Sequence, residues 1–394
     1  MMRSSRALIN ITAVLLLTSC GATLVPYQHA ELPPLPEVTG QAGWEIGHAM
    51  QRAAEAFLEH SDAPSVQLAV RFGDYSYAGA YGHRDNRRGD FARIDDIYRV
   101  GSVTKTFTAV VVLQLVQEGR LSLDDTIGGW VDLPAAHRVT LRQLLNHSSG
   151  IPSYSERTLP NLGTMLRPQR WWQPEQLLAR VRRRELLFEP GSRHSYSNTN
   201  YVALGLIAEA VSGRSMAQLY RERIIEPAGL SDTWFLPYEA GPPDRRLVVG
   251  YDRDILPLGT QRITARTRSW LTYGFSAGAM VSTAPDLVRF ADALFDGRLL
   301  QPAMLQQMTR FIDAADPDIA AQTGYGLGLR RLESDGTILM GHTGTTPGFG
   351  AVVMHAPGAD YTVAAAANLS RLQSVELMRS VLGELRGVSA WRER

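Results

Sequence analysis

The sequence predicts an α/β domain: one antiparallel sheet assembled from both ends of the chain, helices against it, and a mostly helical region inserted between. Three observations predict it. Val- and Tyr-rich runs of strand character lie near residues 65–83 and return after about residue 325. Between them, over about 125–290, helix and loop signals with many Pro and Gly dominate. An almost unbroken apolar stretch, Phe107–Val116, reads as a helix buried on every side and so at the centre of the domain. With 394 residues, 44% of them apolar and 20% charged, the chain has the composition of a globular protein with a large core.

Taken in order, residues 1–19 read as a signal peptide and not as fold. Arg3 and Arg6 precede the apolar run Ala7–Leu17, which is too short to span a bilayer as a mature helix. The following Leu-Thr-Ser ends in Cys20, the only cysteine, in a pattern that resembles a bacterial lipoprotein signal. The expectation is an exported protein, lipidated at Cys20 and held on a membrane at the periplasmic side or the cell surface. Ordinary secretion with Cys20 a bystander is the alternative. A single cysteine allows no internal disulfide. Residues 20–43, including "ELPPLPEVTG", read as an extended tether. The formal net charge of +1, with no long basic run, argues against a nucleic-acid partner. The Arg-rich stretch Ala179–Glu185 reads as a solvated helix face.

The domain itself is expected over 44–390. Trp44–His60 reads as a helix, followed by strands Ser65–Gly73 and Tyr75–His83 joined at a Gly-Asp turn. Gly119 closes the buried helix, and Thr199–Ser212 forms another with Gly213 as its stop. The C-terminal strands are Tyr325–Glu333, Thr337–Gly344, Gly350–Pro357 and Tyr361–Leu369, with a last amphipathic helix at Ser374–Leu385.

The chemistry starts from one residue. Of the 40 Lys and Arg residues, only Lys105 is lysine. Arginine serves for charge everywhere else, but a guanidinium cannot be deprotonated in a protein, whereas a buried amine can. Ser102 lies three residues earlier, one turn away on the same helix face, so the amine reaches the hydroxyl. The first turn of that helix, with its free N–H groups, favours developing negative charge, and burial lowers the amine pKa. Ser102 and Lys105 therefore fit a nucleophile and its base.

Two further elements are weak alone. Tyr196 and Asn198 precede a helix, where a packed aromatic and an N-cap are the simpler reading. His342, Thr343 and Gly344 end a strand; Gly344 would admit a substrate backbone to the strand edge and Thr343 offers a hydroxyl. A rival nucleophile, Ser276, sits in the Gly-x-Ser-x-Gly stretch 274–278. The polar, Arg-rich sequence before it is not the apolar strand that a nucleophile elbow requires. His147 and Asp124–Asp125 read as turn and cap residues. No cluster has metal-ligand spacing and no glycine loop opens a helix as a phosphate site does, so neither metal nor cofactor is expected.

Taken together and in this order, Ser-x-x-Lys, Tyr-x-Asn and His-Thr-Gly resemble the penicillin-recognising serine hydrolases. That superfamily includes DD-carboxypeptidases, class C β-lactamases and related esterases. The resemblance runs from about residue 45 to 370 and includes "YRVGSVTKTFTAVVVLQLVQEGRLSLDD", "LRQLLNHSSGIP", "HSYSNTNY", "GYGLGLRR" and "GHTGTTPGF". It implies a β-lactamase/transpeptidase-like fold and an acyl-enzyme formed on Ser102, with Lys105 as base and Tyr196 passing a proton to the leaving amine. By the same resemblance, Asn198 helps hold the lysine and the substrate, and the N–H groups of Ser102 and Thr345 form the oxyanion hole. Arg330 and Thr343 grip a terminal carboxylate, and Trp270 lines the pocket; without the resemblance, Arg330 reads as an exposed strand arginine. His342 stands where most relatives carry lysine, which argues against efficient β-lactamase activity. The expected function is a D-alanyl-D-alanine carboxypeptidase-like peptidase. An esterase or weak β-lactamase using Ser102 is the alternative, and a non-catalytic penicillin-binding sensor or scaffold a second one.

Overall fold

The computed structural model describes residues 23–24, 40–87, 89–156, 167–252, 261–264, 267–317, 319–334, 336–370 and 374–388. The expected signal peptide, Cys20 and the tether, apart from residues 23–24 and 40–43, lie outside the described residues. Alternation along the apolar strands builds a sheet buried on both faces. Strands β1 (Ser65–Phe72), β2 (Tyr75–Asp85) and β3 (Asp90–Phe91) come from the N-terminal part. Strands β4 (Ile312–Asp313), β5 (Gln322–Tyr325), β6 (Arg330–Ser334), β7 (Thr337–Thr346), β8 (Phe349–Ala356) and β9 (Tyr361–Ala367) come from the C-terminal part. Their order, β4-β5-β6-β7-β8-β9-β1-β2-β3, joins the two chain ends at the β9–β1 pair, where Val363 faces Val70 and Ala364 faces Ala69. Every pair is antiparallel.

Because side chains alternate across a strand, each apolar strand feeds two cores. Val352, Met354, Val363, Ala365, Leu68 and Val70 pack beneath helices α1 (Gly40–Ser61) and α5 (Ser374–Leu385). Phe349, Ala351, Val353, Ala364 and Ala366 face the helical layer instead. In that layer α2 (Thr104–Gln117) is buried nearly all round, as its continuous apolar run requires. Helix α3 (Asn198–Ser212), ended by Gly213 at φ 71°, packs beside it. Helix α4 (Ala284–Phe295), capped by the Thr283 side chain, lies on the small residues of β9 and on β1.

One expectation needs correction. The stretch expected as one strand, Tyr325–Glu333, is broken after Tyr325 and resumes at Arg330. Gly328 takes φ +87°, and a Cβ there would come 2.4 Å from the Ala109 Cβ, so the chain turns against α2 instead of running straight. The mostly helical layer also carries short strands. Short strands Tyr98–Arg99, Met280–Ser282 and Trp234–Phe235 form one small sheet, and Thr23–Leu24, Gln261–Thr264 and Val249–Asp252 another.

Candidate active site

Ser102 lies in a single 3-10 turn, Gly101–Val103, that runs directly into α2. Gly101 makes the turn possible at φ +49°, in the left-handed region, where glycine meets no steric penalty. Lys105 follows one turn later with its Nζ 2.9 Å from the Ser102 Oγ and 2.7 Å from the Ala277 carbonyl oxygen. The amine is fully buried, and burial, followed by the nearby Arg330 charge, drives its pKa well below the ordinary lysine value. A neutral amine donates to Ala277 and keeps its lone pair for the proton of Ser102. No carboxylate is among the groups acting on it. That is the environment of a base, not of an ion pair.

Tyr196 caps the pair. Its ring centroid lies 4.9 Å from the Lys105 Nζ and 4.9 Å from the Arg330 Cζ. Burial raises its pKa, while Arg330 and Ser102 nearby favour the ionised form less strongly, so the phenol stays protonated at neutral pH. Its hydroxyl closes no hydrogen bond within normal distance, yet it lies close enough to Ser102 and Arg330 for both to act on it. An O–H held above a nucleophile can pass a proton onward. Asn198 begins α3 but turns away from the lysine: its Nδ2 donates to Ser155 Oγ at 2.8 Å and its backbone N–H to Ser153 Oγ at 3.2 Å. The second partner expected of it for Lys105 is instead the Ala277 carbonyl.

The far wall is the free edge of β7. Strand β6 begins at Arg330 opposite Gly341, so residues 342–346 pair with β8 alone. The room that Gly344 leaves is taken up on one side by the chain itself. A Cβ there would lie 1.9 Å from the Val100 carbonyl oxygen and 3.0 Å from the Ser102 nitrogen, so the space is taken by the nucleophile turn itself. Gly101 likewise has the Thr345 main chain within 2.9–3.1 Å of where its Cβ would be. The main chains of Ser102 and Thr345 are thereby brought side by side, as a pair of oxyanion donors requires.

His342 points inward and is fully buried. Its Nδ1 lies 2.5 Å from the Thr343 carbonyl oxygen and its Nε2 2.8 Å from the Tyr325 hydroxyl. Since a carbonyl only accepts, Nδ1 carries the hydrogen and Tyr325 donates to Nε2. Burial, then the Arg330 charge, keeps this ring neutral, with its pKa well below the usual histidine value. His342 therefore anchors Tyr325 and adds no charge to the site.

Arg330 is buried and not an exposed strand residue. It stands opposite Gly341, so it shares a face of the sheet with Thr343, two residues further along β7. Its guanidinium is already bound, to Asp316 at 3.0 Å and to the Gln322 side-chain oxygen. Trp270 is half-buried and meets Tyr273 edge-on at 6.3 Å, which places it on the helical layer. Ser276 is excluded as a nucleophile by its position: it is fully buried, and its Oγ donates to the Tyr201 carbonyl at 2.8 Å.

Reasoning from sequence missed Ala277, Asp316, Gln322 and Tyr325. Ala277 lies within the very stretch singled out for its serine, but a backbone acceptor leaves no residue-type signal. Among the described residues no cluster of His, Cys, Asp and Glu forms a metal site.

The chain is similar in sequence and fold to known proteins. The penicillin-binding protein 4 of Amycolatopsis lactamdurans is 29% identical over 88% of this chain and 91% of its own length. The structure of a D-stereospecific amidohydrolase from Streptomyces sp. superposes with a TM-score of 0.74 at 31% identity, over 84% of this chain and 97% of that one. A D-amino acid amidase from Ochrobactrum anthropi SV3, complexed with D-phenylalanine, gives a TM-score of 0.77 at 27% identity, over 87% of this chain and 99% of that one. The Beta-lactamase family model matches residues 50–383, which takes in Ser102, Lys105, Tyr196 and the β7 edge, and with the shared fold it makes this chain a serine hydrolase of the β-lactamase and penicillin-binding-protein family.

Proposed function

We propose that the protein hydrolyses amide bonds in D-amino acid peptides or amides through an acyl-enzyme on Ser102. The observation that carries this reading is the buried Lys105 amine 2.9 Å from the Ser102 hydroxyl and 4.9 Å from the Tyr196 ring, where burial lowers the amine pKa and raises that of the phenol. Ser102 Oγ attacks the carbonyl carbon as its proton passes to the Lys105 lone pair. The carbonyl oxygen takes up negative charge against the Ser102 and Thr345 N–H groups. The C–N bond breaks as Tyr196 gives its proton to the departing nitrogen and regains one from Lys105. Water then attacks the ester carbon as Lys105 takes its proton, and the bond from the acyl carbon to Ser102 Oγ breaks as that proton passes to Oγ, which restores both residues. The names of the two solved relatives support the D-configuration.

A D-alanyl-D-alanine carboxypeptidase is the finer form of this reading. Arg330, with its guanidinium carbon 4.9 Å from the Tyr196 ring centroid, favours it. The charge of Arg330 is, however, already countered by Asp316, which favours a neutral leaving group. A substrate panel decides: D- and L-alanine p-nitroanilide, a D-Ala-D-Ala peptide, a short p-nitrophenyl ester and nitrocefin. Turnover of the D-anilide over its L form, lost in Ser102→Ala, is expected. Equal rates on both enantiomers, or ester or nitrocefin turnover alone, reject the reading. Penicillin labelling of Ser102 without any turnover points to the sensor or scaffold alternative. If Arg330 grips a carboxylate, Arg330→Ala reduces kcat/KM on the peptide about ten- to a hundred-fold more than on the ester.

We also propose export and lipidation at Cys20, on the strength of the leader pattern alone. Mass spectrometry of membrane-extracted protein should find acyl mass on Cys20; a soluble protein with another N-terminus rejects it.

A further inference from the structure

We infer that His147 is the positioning residue that fixes Tyr196, by holding the main chain on both sides of it. The inference rests on the proposed role of Tyr196 as proton carrier. His147 lies in the tight turn after the short helix Leu141–Leu145 and is fully buried. Its backbone takes φ +60°, a left-handed conformation uncommon for any residue with a side chain. That twist lets one residue present its carbonyl and its ring to the same strand of chain. The His147 carbonyl accepts the Ser195 N–H at 2.9 Å, and the His147 Nδ1 accepts the Ser197 N–H at 3.2 Å. The residues immediately before and after Tyr196 thus both end on His147. Between those two bonds, the imidazole lies against the Tyr196 ring, with centroids 4.3 Å apart and planes 40° to each other.

The rest of the turn acts as a template for the same segment. Leu187 N–H donates to the Gly150 carbonyl and Gly191 N–H to the Ser148 carbonyl, each at 2.8 Å. Asn200 Nδ2 lies 3.3 Å from His147 Nδ1, and Ser149 Oγ donates to Asn200 Oδ1 at 2.9 Å. Tyr201 reaches back to the Leu145 carbonyl at 2.7 Å. For Nδ1 to accept a backbone N–H, the ring must be neutral with its hydrogen on Nε2. The surroundings favour that state: burial first, with the Arg330 charge acting in the same sense. The ring is also enclosed by Tyr325 and Tyr201, at 4.8 and 5.1 Å between centroids. A histidine meets three demands here: an acceptor at Nδ1, a flat face for Tyr196, and tolerance of a left-handed backbone.

The test uses leaving groups that differ in their need for a proton. An anilide must be protonated as it departs, whereas p-nitrophenolate leaves without help. In the full-length protein, His147→Leu and His147→Gln should cut kcat on D-alanine p-nitroanilide about 10- to 100-fold, the cost of an ångström-scale misplacement. KM and the rate on the matching p-nitrophenyl ester should change little, so the anilide-to-ester ratio falls. His147→Asn, whose amide oxygen sits near the Nδ1 position and which tolerates the left-handed region, should restore most of that ratio. In a Tyr196→Phe background, His147→Leu should cost nothing further, because the two act as one unit. Equal losses on anilide and ester, additive losses in the double variant, or no rescue by asparagine overturn the inference. Should Tyr196→Phe leave the ratio unchanged, the proton-carrier reading itself fails, and the inference with it. A ratio that falls in Tyr196→Phe but not in His147→Gln overturns the positioning role alone.

Discussion

A guanidinium at position 105 would keep the charge and lose the chemistry. Lys105→Arg should reduce kcat/KM by about 10²- to 10⁴-fold, the usual worth of a general base, because arginine stays protonated at any working pH. The pH profile follows from the burial of Lys105 with Arg330 as its neighbour. The protonated amine is inactive, so activity rises with pH through the lowered Lys105 pKa, and this limb lies well under the ordinary value of about 10.4. The same burial costs the native state stability. Below its ordinary pKa the unfolded chain binds more protons at Lys105 than the native state does, so the native state is penalised there, and the penalty shrinks as the pH rises. Lys105→Met should therefore be inactive yet melt at a higher temperature. An acid limb near pH 10, or a lower melting temperature for Lys105→Met, would show that the amine is charged in the native enzyme.

At the scale of elements, the site depends on how closely β7 can approach the turn that carries Ser102. Gly344 sets that approach, since a Cβ would sit 1.9 Å from the Val100 carbonyl oxygen. Gly344→Ala should cost about 3 kcal/mol of stability and most of the activity, by pushing Thr345 away from Ser102. Gly358, with nothing within 4 Å of its missing Cβ, provides the matched control. Denaturant midpoints and ester turnover for the two variants check this; an active, stable Gly344→Ala would mean that the oxyanion donors lie elsewhere. The same scale shows why the Ser–Lys spacing was legible and Asn198 was not. Three residues on a helix fix a distance, whereas the loop before α3 is free to aim Asn198 at Ser155.

The whole molecule stores neutral histidine at its centre. His147 and His342 are fully buried with pKa values well below the usual one, chiefly by burial, and His194 falls to about 4 for the same reason. In the unfolded chain each would protonate near 6.5. Below that pH the unfolded state binds more protons, so stability falls as the pH drops, by up to about 1.4 kcal/mol per unit for each histidine. Asp96 opposes this in part: burial raises it to about 6, so between its unfolded value and 6 its contribution weakens as pH rises. Urea midpoints measured from pH 7.5 to 5.5 should fall toward acid, and His342→Asn should flatten the slope. A flat profile in the unmodified protein would place charged histidines in the core.

The sequence by itself determined the layout and singled out the Ser102–Lys105 pair. Period-two apolar strands at both ends, an all-apolar helix and a lone lysine one turn from a serine are local patterns, and local patterns are written in neighbouring residues. The motif order then pointed to the family. What only the tertiary structure decided were contacts between residues far apart in the chain. The Ala277 carbonyl on Lys105, Asp316 on Arg330 and His147 astride Tyr196 each join segments that no periodicity links. Gly344 is the plainest case: the sequence shows a glycine at a strand end, but only packing shows that the space it leaves is filled by the main chain of Val100 and Ser102. A missing side chain specifies room, and the fold decides what occupies it.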